Sequence, residues 1–190
     1  MNSVKIGFAL CGSFCTLSKA VIQIEKLKEL GAEIFPIMSP ITYSVDTRFG
    51  AAKDFISKIE NICDKKIIHE IWQAEPIGPK NLLDILIIAP CTGNTLGKLA
   101  NGITDTSVTM ATKAHLRNNK PVLIGVSSND ALSASAKNIG LLMNTKNIYF
   151  VPFSQDAPNS KTTSCVCDFS KIPEAAQAAL NEIQLQPILL

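Results

Sequence analysis

The chain has 190 residues, of which 46% are hydrophobic and 18% charged. This length and composition exclude an intrinsically disordered protein and predict a single domain over residues 1–190. The net charge of +2 gives no basic stripe for nucleic acid, and the longest apolar run, 85–89, is far shorter than the roughly 18 residues that cross a bilayer.

Apolar runs that predict strands alternate along the chain with segments of helical period. Strands are predicted at 4–10, 34–38, 82–89, 121–126 and 148–151. Helices are predicted at 14–30, 51–62, 94–102, 106–117, 130–143 and 173–183. The polar, turn-rich segment 156–167 is predicted to be an exposed loop.

Continuous apolar strands separated by helices indicate a parallel sheet that is covered on both faces. The predicted fold class is therefore a three-layer α/β sandwich of the Rossmann or flavodoxin-like type. In such sheets ligands bind beyond the carboxyl ends of the strands. That rule selects the loops at 11–14, 39–42, 90–95 and 127–130.

The six cysteines do not indicate a metal site. Cys165 and Cys167 form a lone C-x-C pair, and neither His69 nor His115 lies at ligand spacing from a cysteine. We expect no bound metal, reduced thiols and a cytoplasmic protein.

The first selected loop contains Gly12 and Ser13 and opens a helix. Unpaired backbone N–H groups and the positive end of the helix dipole suit a phosphate there, and a glycine allows close approach. A dinucleotide fingerprint is absent, because no G-x-G-x-x-G follows the strand. The alternative is a plain turn in which Ser13 caps the helix.

The third loop carries the denser set of polar groups. Thr92, Gly93, Asn94 and Thr95 follow the most apolar strand at once. Two hydroxyls and an amide at one place can bind a phosphate or the polar edge of a flat heterocycle. Helix capping is the alternative, although it needs only one of these side chains. The fourth loop, 127–130, repeats the theme and the alternative.

The third loop and the segment after it resemble a known family. The run Pro-Cys-Thr-Gly-Asn-Thr at 90–95, with Leu-Ala-Asn-Gly-Ile-Thr-Asp at 99–105, is similar to the signature loop and helix of the homo-oligomeric flavin-containing cysteine decarboxylases. The turn at 12–13 resembles their phosphate-binding turn. One member group, a set of sporulation flavoproteins, is more similar still. The stretches that resemble that group are 47–50, 74–84, 88–95, 128–132, 146–153 and 184–187.

The resemblance implies an FMN cofactor and a role in oxidising dihydrodipicolinate to dipicolinic acid. It also implies a second, nicotinamide-binding subunit that carries NAD or NADP, and a homo-oligomer built from trimers. The residues that would contact FMN are Gly12, Ser13, Ser39, Thr92, Gly93, Asn94, Thr95 and Asn129.

The chain departs from the decarboxylase pattern in two places. Decarboxylases of the family carry Pro-Ala-Met-Asn where this chain has Val-Ser-Ser-Asn at 126–129, so only Asn129 matches. Several use a histidine after the second strand, and the 40s stretch has none. Both departures weigh against decarboxylation and leave the catalytic residues unassigned. The alternatives are a flavin-dependent decarboxylase, a flavin prenyltransferase relative, or a flavin-free, non-catalytic partner protein.

A dicarboxylate substrate would need a facing cation. The candidates are Arg48, Lys98 and His115, of which Arg48 fits best because its planar guanidinium binds both oxygens of a carboxylate. For each, the alternative is a solvated surface charge. Trp72 and Tyr43 are candidates for stacking on a flat ring, the alternative for Trp72 being the core or a subunit interface.

Overall fold

The computed structural model describes residues 1–190, and its sheet has a parallel part and an antiparallel part. The parallel strands lie in the order β2-β1-β3-β4-β5. Their bounds are β1 Lys5–Leu10, β2 Glu33–Met38, β3 Ile85–Cys91, β4 Val122–Ser128 and β5 Ile148–Phe150. Every residue of β3 is buried, as expected for a central strand that is covered on both faces.

Eight α-helices cover the two faces of this sheet. On one face lie α1 Leu17–Glu29, α3 Ala52–Cys63 and α8 Ile172–Leu180. On the other lie α4 Ile71–Ala74, α5 Gly93–Ala100, α6 Ser107–Leu116 and α7 Ala136–Met143. The short α2 Pro40–Ser44 follows β2. The predicted three-layer α/β fold is confirmed. None of the eight helices has the length and apolarity needed to span a membrane.

The antiparallel part was not predicted. The strands β6 Phe153–Gln155 and β7 Cys165–Cys167 form a hairpin, and β7 pairs with the end of β4 at Ser127 and Ser128. The segment 156–167, predicted as an exposed loop, therefore ends in a strand whose two cysteines are buried. The apolar run Cys-Val-Cys at 165–167 has only three residues, which is too short to indicate a strand after the polar run before it.

Several element boundaries differ from the prediction, including one helix start and one strand end beside the loops after β3 and β4. The helix expected at 130–143 begins at Ala136, and residues 129–135 form turns in which the Asp130 carbonyl accepts hydrogen bonds from the backbone N–H groups of Ser133 and Ser135. The strand expected to stop before Pro90 continues to Cys91, with a register shift against β4 between Ile88 and Cys91.

Candidate functional site

The loops that follow β1, β2, β3 and β4 meet at the carboxyl edge of the sheet and enclose two adjoining cavities. The larger cavity, of about 620 Å³, lies over the loops after β1, β3 and β4 and reaches residues 48–49 and 156–166. The smaller cavity, of about 450 Å³, lies over the loops after β1, β2 and β3. The two share Gly12, Thr92 and Asn94.

Every residue predicted to contact a cofactor lines one of these cavities. Of these residues, the larger cavity has Gly12, Ser13, Thr92, Gly93, Asn94 and Asn129. The smaller has Gly12, Ser39, Thr92, Asn94 and Thr95. The structure therefore brings together residues up to 117 positions apart in the chain, Gly12 and Asn129.

The loop after β1 keeps an open backbone at the boundary between the cavities. The backbone N–H of Gly12 makes no hydrogen bond to another backbone group. A Cβ at Gly12 would lie 3.2 Å from Ile41 and 3.6 Å from Phe14, so a larger residue would crowd the turn. A free N–H beside an open turn is the feature that a phosphate oxygen needs.

Ser13 does not cap the helix that it precedes. Its hydroxyl lies 2.8 Å from that of Ser127 and accepts from Thr16 Oγ1 at 3.0 Å. The capping alternative for Ser13 is thus wrong, and the side chain instead joins the loop after β1 to the last residues of β4.

Thr92 caps α5, the helix that begins in the loop after β3, and the side chain of Asn94 is left without a hydrogen bond. Thr92 Oγ1 accepts from the Thr95 backbone N–H at 3.5 Å, and the Thr95 hydroxyl donates to Cys11 Sγ at 3.3 Å. Asn94 is exposed at both cavities and its amide makes no hydrogen bond within the protein. One residue satisfies the helix, and the amide remains available for a ligand.

Gly93 packs against a hydrogen-bonded carboxylate. A Cβ there would lie 2.5 Å from Asp130 Oδ1, 2.6 Å from Ser135 Oγ and 2.8 Å from Ser128 Oγ. Both serine hydroxyls donate to the Asp130 carboxylate, that of Ser135 at 3.1 Å. Only a glycine lets these three side chains approach the start of α5.

The two remaining predicted cofactor contacts, Ser39 and Asn129, differ in burial. The Ser39 hydroxyl is buried and lies 2.8 Å from that of Thr42. Asn129 is exposed, and its backbone carbonyl accepts from the Thr163 hydroxyl at 2.7 Å. The loop after β4 is thereby attached to the segment that leads into β7.

Of the candidate cations, Arg48 alone has a free charge at the larger cavity. Its guanidinium lies over the Phe49 ring at 4.9 Å and forms no ion pair. Lys161, which the sequence pattern did not single out, lines the same cavity, and its Nζ lies 3.0 Å from Asp156. Lys98 lines the smaller cavity, and its Nζ lies 2.8 Å from Asp105.

His115 lies in the core, away from both cavities. Its Nε2 is 3.0 Å from the Pro121 carbonyl oxygen, and the side chain is buried. Burial lowers the pKa of the imidazole to about 4, so the ring is neutral at pH 7. A neutral buried ring excludes His115 as a cation for a substrate carboxylate.

The aromatic candidates do not line either cavity. The Tyr43 ring stacks on His69 with centroids 3.7 Å apart. Trp72 has 71% of its surface exposed and so lies outside the core.

The buried thiols beside the site are protonated. Burial raises the pKa of the Cys11 thiol to about 11 and that of Cys91 well above its ordinary value. A thiol of such high pKa has little thiolate at neutral pH. Cys91 is therefore a small buried hydrophobic residue and not a nucleophile.

Comparison with known proteins identifies the family. The family model described as Flavoprotein matches residues 1–184. The chain belongs to the Flavoprotein family. It is 47% identical to the B subunit of dipicolinate synthase from Bacillus subtilis (strain 168), over 100% of this chain and 96% of that protein.

Solved structures agree with this family membership. The crystal structure of the dipicolinate synthase B subunit from Bacillus halodurans matches with a TM-score of 0.91 and 46% identity, covering 100% of this chain and 98% of that one. The FMN-dependent cysteine decarboxylase SpaF matches with a TM-score of 0.69 and 21% identity, covering 94% of this chain and 96% of that one. This second flavoprotein likeness supports the fold alone.

Proposed function

We propose that residues 1–190 act as one domain, an FMN-binding B-type subunit of dipicolinate synthase that helps to oxidise dihydrodipicolinate to dipicolinate during sporulation. The observation that carries the proposal is the 47% identity to a B-type relative, which extends over the whole chain and so includes every loop at the two cavities. We further propose that the protein is cytoplasmic and forms homo-oligomers built from trimers.

The residues of the smaller cavity fit the phosphate end of FMN. They include hydroxyls from Ser39, Thr92, Thr95 and Thr106, beside the free N–H of Gly12, and no carboxylate. The larger cavity has the Asp130 and Asp156 carboxylates, which would repel a phosphate dianion. We therefore assign the phosphate to the smaller cavity and the flat ring to the larger one.

When bound, the flavin supplies an acceptor for a hydride equivalent. Residues of this chain would bind the flavin and orient it. Asn94 and Asn129 offer side-chain amides to the polar edges of its ring, and Ser13 is held in place by Ser127. Arg48 is the cation that would bind a substrate carboxylate in the larger cavity, because its charge is not spent on an acid of the protein.

The partner in this proposal is the nicotinamide-binding A subunit of dipicolinate synthase, with NAD or NADP as its cofactor. The larger cavity is open to solvent at residues 48–49 and at Lys161, which gives access for a substrate delivered where two subunits meet.

Loss of FMN binding in a loop variant tests the cofactor assignment. Thr95 is buried, so a bulky replacement would damage the core, whereas Asn94→Leu with Thr95→Val keeps the volumes. We expect the double variant to bind FMN about 10-fold or more weakly by fluorescence titration, with an unchanged far-ultraviolet circular dichroism spectrum. Asn61→Leu, on the exposed face of α3, is the matched control.

Turnover tests the reaction. The FMN-loaded protein, mixed with the A subunit, a nicotinamide cofactor and dihydrodipicolinate, is expected to form an aromatic pyridine product detected by its ultraviolet absorption. Carbon dioxide release without pyridine formation would instead establish a decarboxylase. A chain that takes up no FMN but still stimulates the A subunit would establish a flavin-free partner.

A further inference from the structure

We propose that Asp130 is the proton acceptor in the oxidation, an inference that rests on the function proposed above. Oxidising a dihydropyridine dicarboxylate to the pyridine breaks two bonds to hydrogen. One hydrogen leaves with its bonding pair, as hydride, to an oxidant of the flavin or nicotinamide class. The other leaves as a proton, and its bonding pair completes the aromatic π system. The second step needs a base within reach of the ring.

The larger cavity holds two carboxylates, and only one of them has no cationic partner. The Asp156 carboxylate is paired with Lys161 at 3.0 Å, and its pKa is lowered by hydrogen bonding to Ser164 and to Lys161. Asp130 forms no ion pair with any lysine, arginine or histidine. A carboxylate without a cation is the better base.

The surroundings of Asp130 fix its position. The hydroxyls of Ser128 and Ser135 donate to its two carboxylate oxygens, and Ser135 is buried. The backbone holds the same residue, because the Ser135 N–H donates to the Asp130 carbonyl at 3.1 Å. Two hydroxyl donors leave each oxygen with a further lone pair, which can accept a proton.

Asp130 lies beside the cofactor loop and in the same cavity as the substrate cation. Its Oδ1 packs on Gly93, at the start of α5, and the residue lines the same cavity as Arg48. The absence of a Cβ at Gly93 is what admits this carboxylate. A dicarboxylate held by Arg48 in the larger cavity would therefore present its ring to a fixed, partly exposed carboxylate.

The charged groups around Asp130 define the controls. Besides Asp130, the larger cavity has Arg48, Asp156 and Lys161. Asp156→Asn removes the same charge from the same cavity as Asp130→Asn, but from a carboxylate already paired with Lys161. Comparing the two variants separates the loss of a base from a change in the overall charge of the cavity.

The experiment combines the FMN-loaded protein with its A subunit, and pyridine formation is followed against pH. We expect Asp130→Asn to lower kcat by about 100-fold or more and to abolish the acid limb of the pH–rate profile, since a protonated carboxyl accepts no proton. FMN affinity should stay at the wild-type value. Binding of the product dipicolinate, measured by calorimetry, should be equal or tighter, because a negative charge has been removed. Asp156→Asn should keep the acid limb.

Several outcomes would overturn the inference. A wild-type kcat in Asp130→Asn, or an equal loss of the acid limb in Asp156→Asn, shows that Asp130 is not the base. Parallel losses of FMN and dipicolinate binding show a structural role. If the asparagine variant fails to fold, Asp130→Glu takes its place: it keeps a carboxylate one methylene away and should retain the acid limb at reduced kcat, whereas an undiminished kcat contradicts the proposal. A wild-type complex that forms no pyridine refutes the proposed function itself.

Discussion

The hydroxyls of Ser13 and Ser127 lie 2.8 Å apart and join the loop that follows β1 to the last residues of β4. The contact spans the end of β3, because β3 lies between β1 and β4 in the sheet. Thr16 is part of the same contact, with its hydroxyl 3.3 Å from that of Ser127. The loop after β1 is thus fixed across the central strand before any ligand binds.

Removing Ser127 should loosen that arrangement without removing a proposed cofactor contact. We expect Ser127→Ala to lower the free energy of unfolding in urea by about 1 kcal/mol, the net value of a hydrogen bond of this kind. FMN binding should weaken severalfold, because the Ser13 side chain is then held only by its hydrogen bond from Thr16. Ser18→Ala, at an exposed serine of α1, should change neither quantity. An FMN affinity equal to that of the wild type would show that Ser13 needs no positioning.

Two glycines in helices should respond in opposite ways to an added methyl group. A Cβ at Gly93 would meet Asp130, Ser128 and Ser135 within 2.8 Å, whereas one at Gly140 in α7 meets nothing within 4 Å. We expect Gly93→Ala to destabilise the protein by about 1–3 kcal/mol through overpacking. Gly140→Ala should stabilise it by about 0.5–1 kcal/mol, because alanine is the better helix former. Thermal unfolding of both variants measures the difference, and a stabilised Gly93→Ala would contradict the close packing at Gly93.

The parallel strands and their helices could be predicted because their signal is local. The continuous apolar run at the centre of the sheet leaves no polar face, so β3 could only be a strand covered on both sides. The hairpin of β6 and β7 carries no such signal. Its pairing with β4 depends on contacts between Ser127 and Val166, 39 positions apart in the chain.

The site was predictable to the level of loops, but not to the level of individual contacts. Parallel topology alone places Gly12 and Asn94 at one edge. Interactions inside the protein decide which neighbouring side chains remain available to a ligand. Lys98 forms an ion pair with Asp105, and the Thr92 hydroxyl caps α5. Lys161 was missed because the antiparallel hairpin that brings it to the larger cavity was missed.

His115 should make the protein less stable in mild acid. Its pKa is lowered from the ordinary 6.5 to about 4, mainly by burial and also by nearby Lys120, against the opposing effects of the Pro121 hydrogen bond and of Asp84. Below pH 6.5 the unfolded chain binds a proton at this histidine and the folded protein does not, so stability falls as the pH drops from 6.5 towards 4. The loss from this group reaches about 3 kcal/mol.

A glutamine at this position isolates that contribution from the carboxylates that titrate in the same range. His115→Gln retains a donor for the Pro121 carbonyl but binds no proton. Urea unfolding between pH 7 and pH 4 should give a shallower loss of stability in the variant than in the wild type. Equal slopes would mean that the folded protein binds the proton as readily as the unfolded chain.

From the sequence, Arg48 and Lys98 were both candidates to bind a substrate carboxylate, and the structure shows that only the charge of Arg48 is unpaired. The guanidinium of Arg48 is unpaired at the larger cavity, whereas the ammonium of Lys98 is held by Asp105 at 2.8 Å beside the smaller one. We expect Arg48→Gln to raise KM for the dicarboxylate by about 10-fold or more with a smaller effect on kcat, because charge-assisted hydrogen bonds to a carboxylate are lost. Arg48→Lys should recover only part, since an ammonium lacks the planar fork. Lys98→Gln should leave KM within about twofold, because the charge of Lys98 is already neutralised by Asp105. Steady-state kinetics at several ionic strengths measures KM and kcat of all three variants, and the assignment fails if Lys98→Gln gives the larger rise in KM.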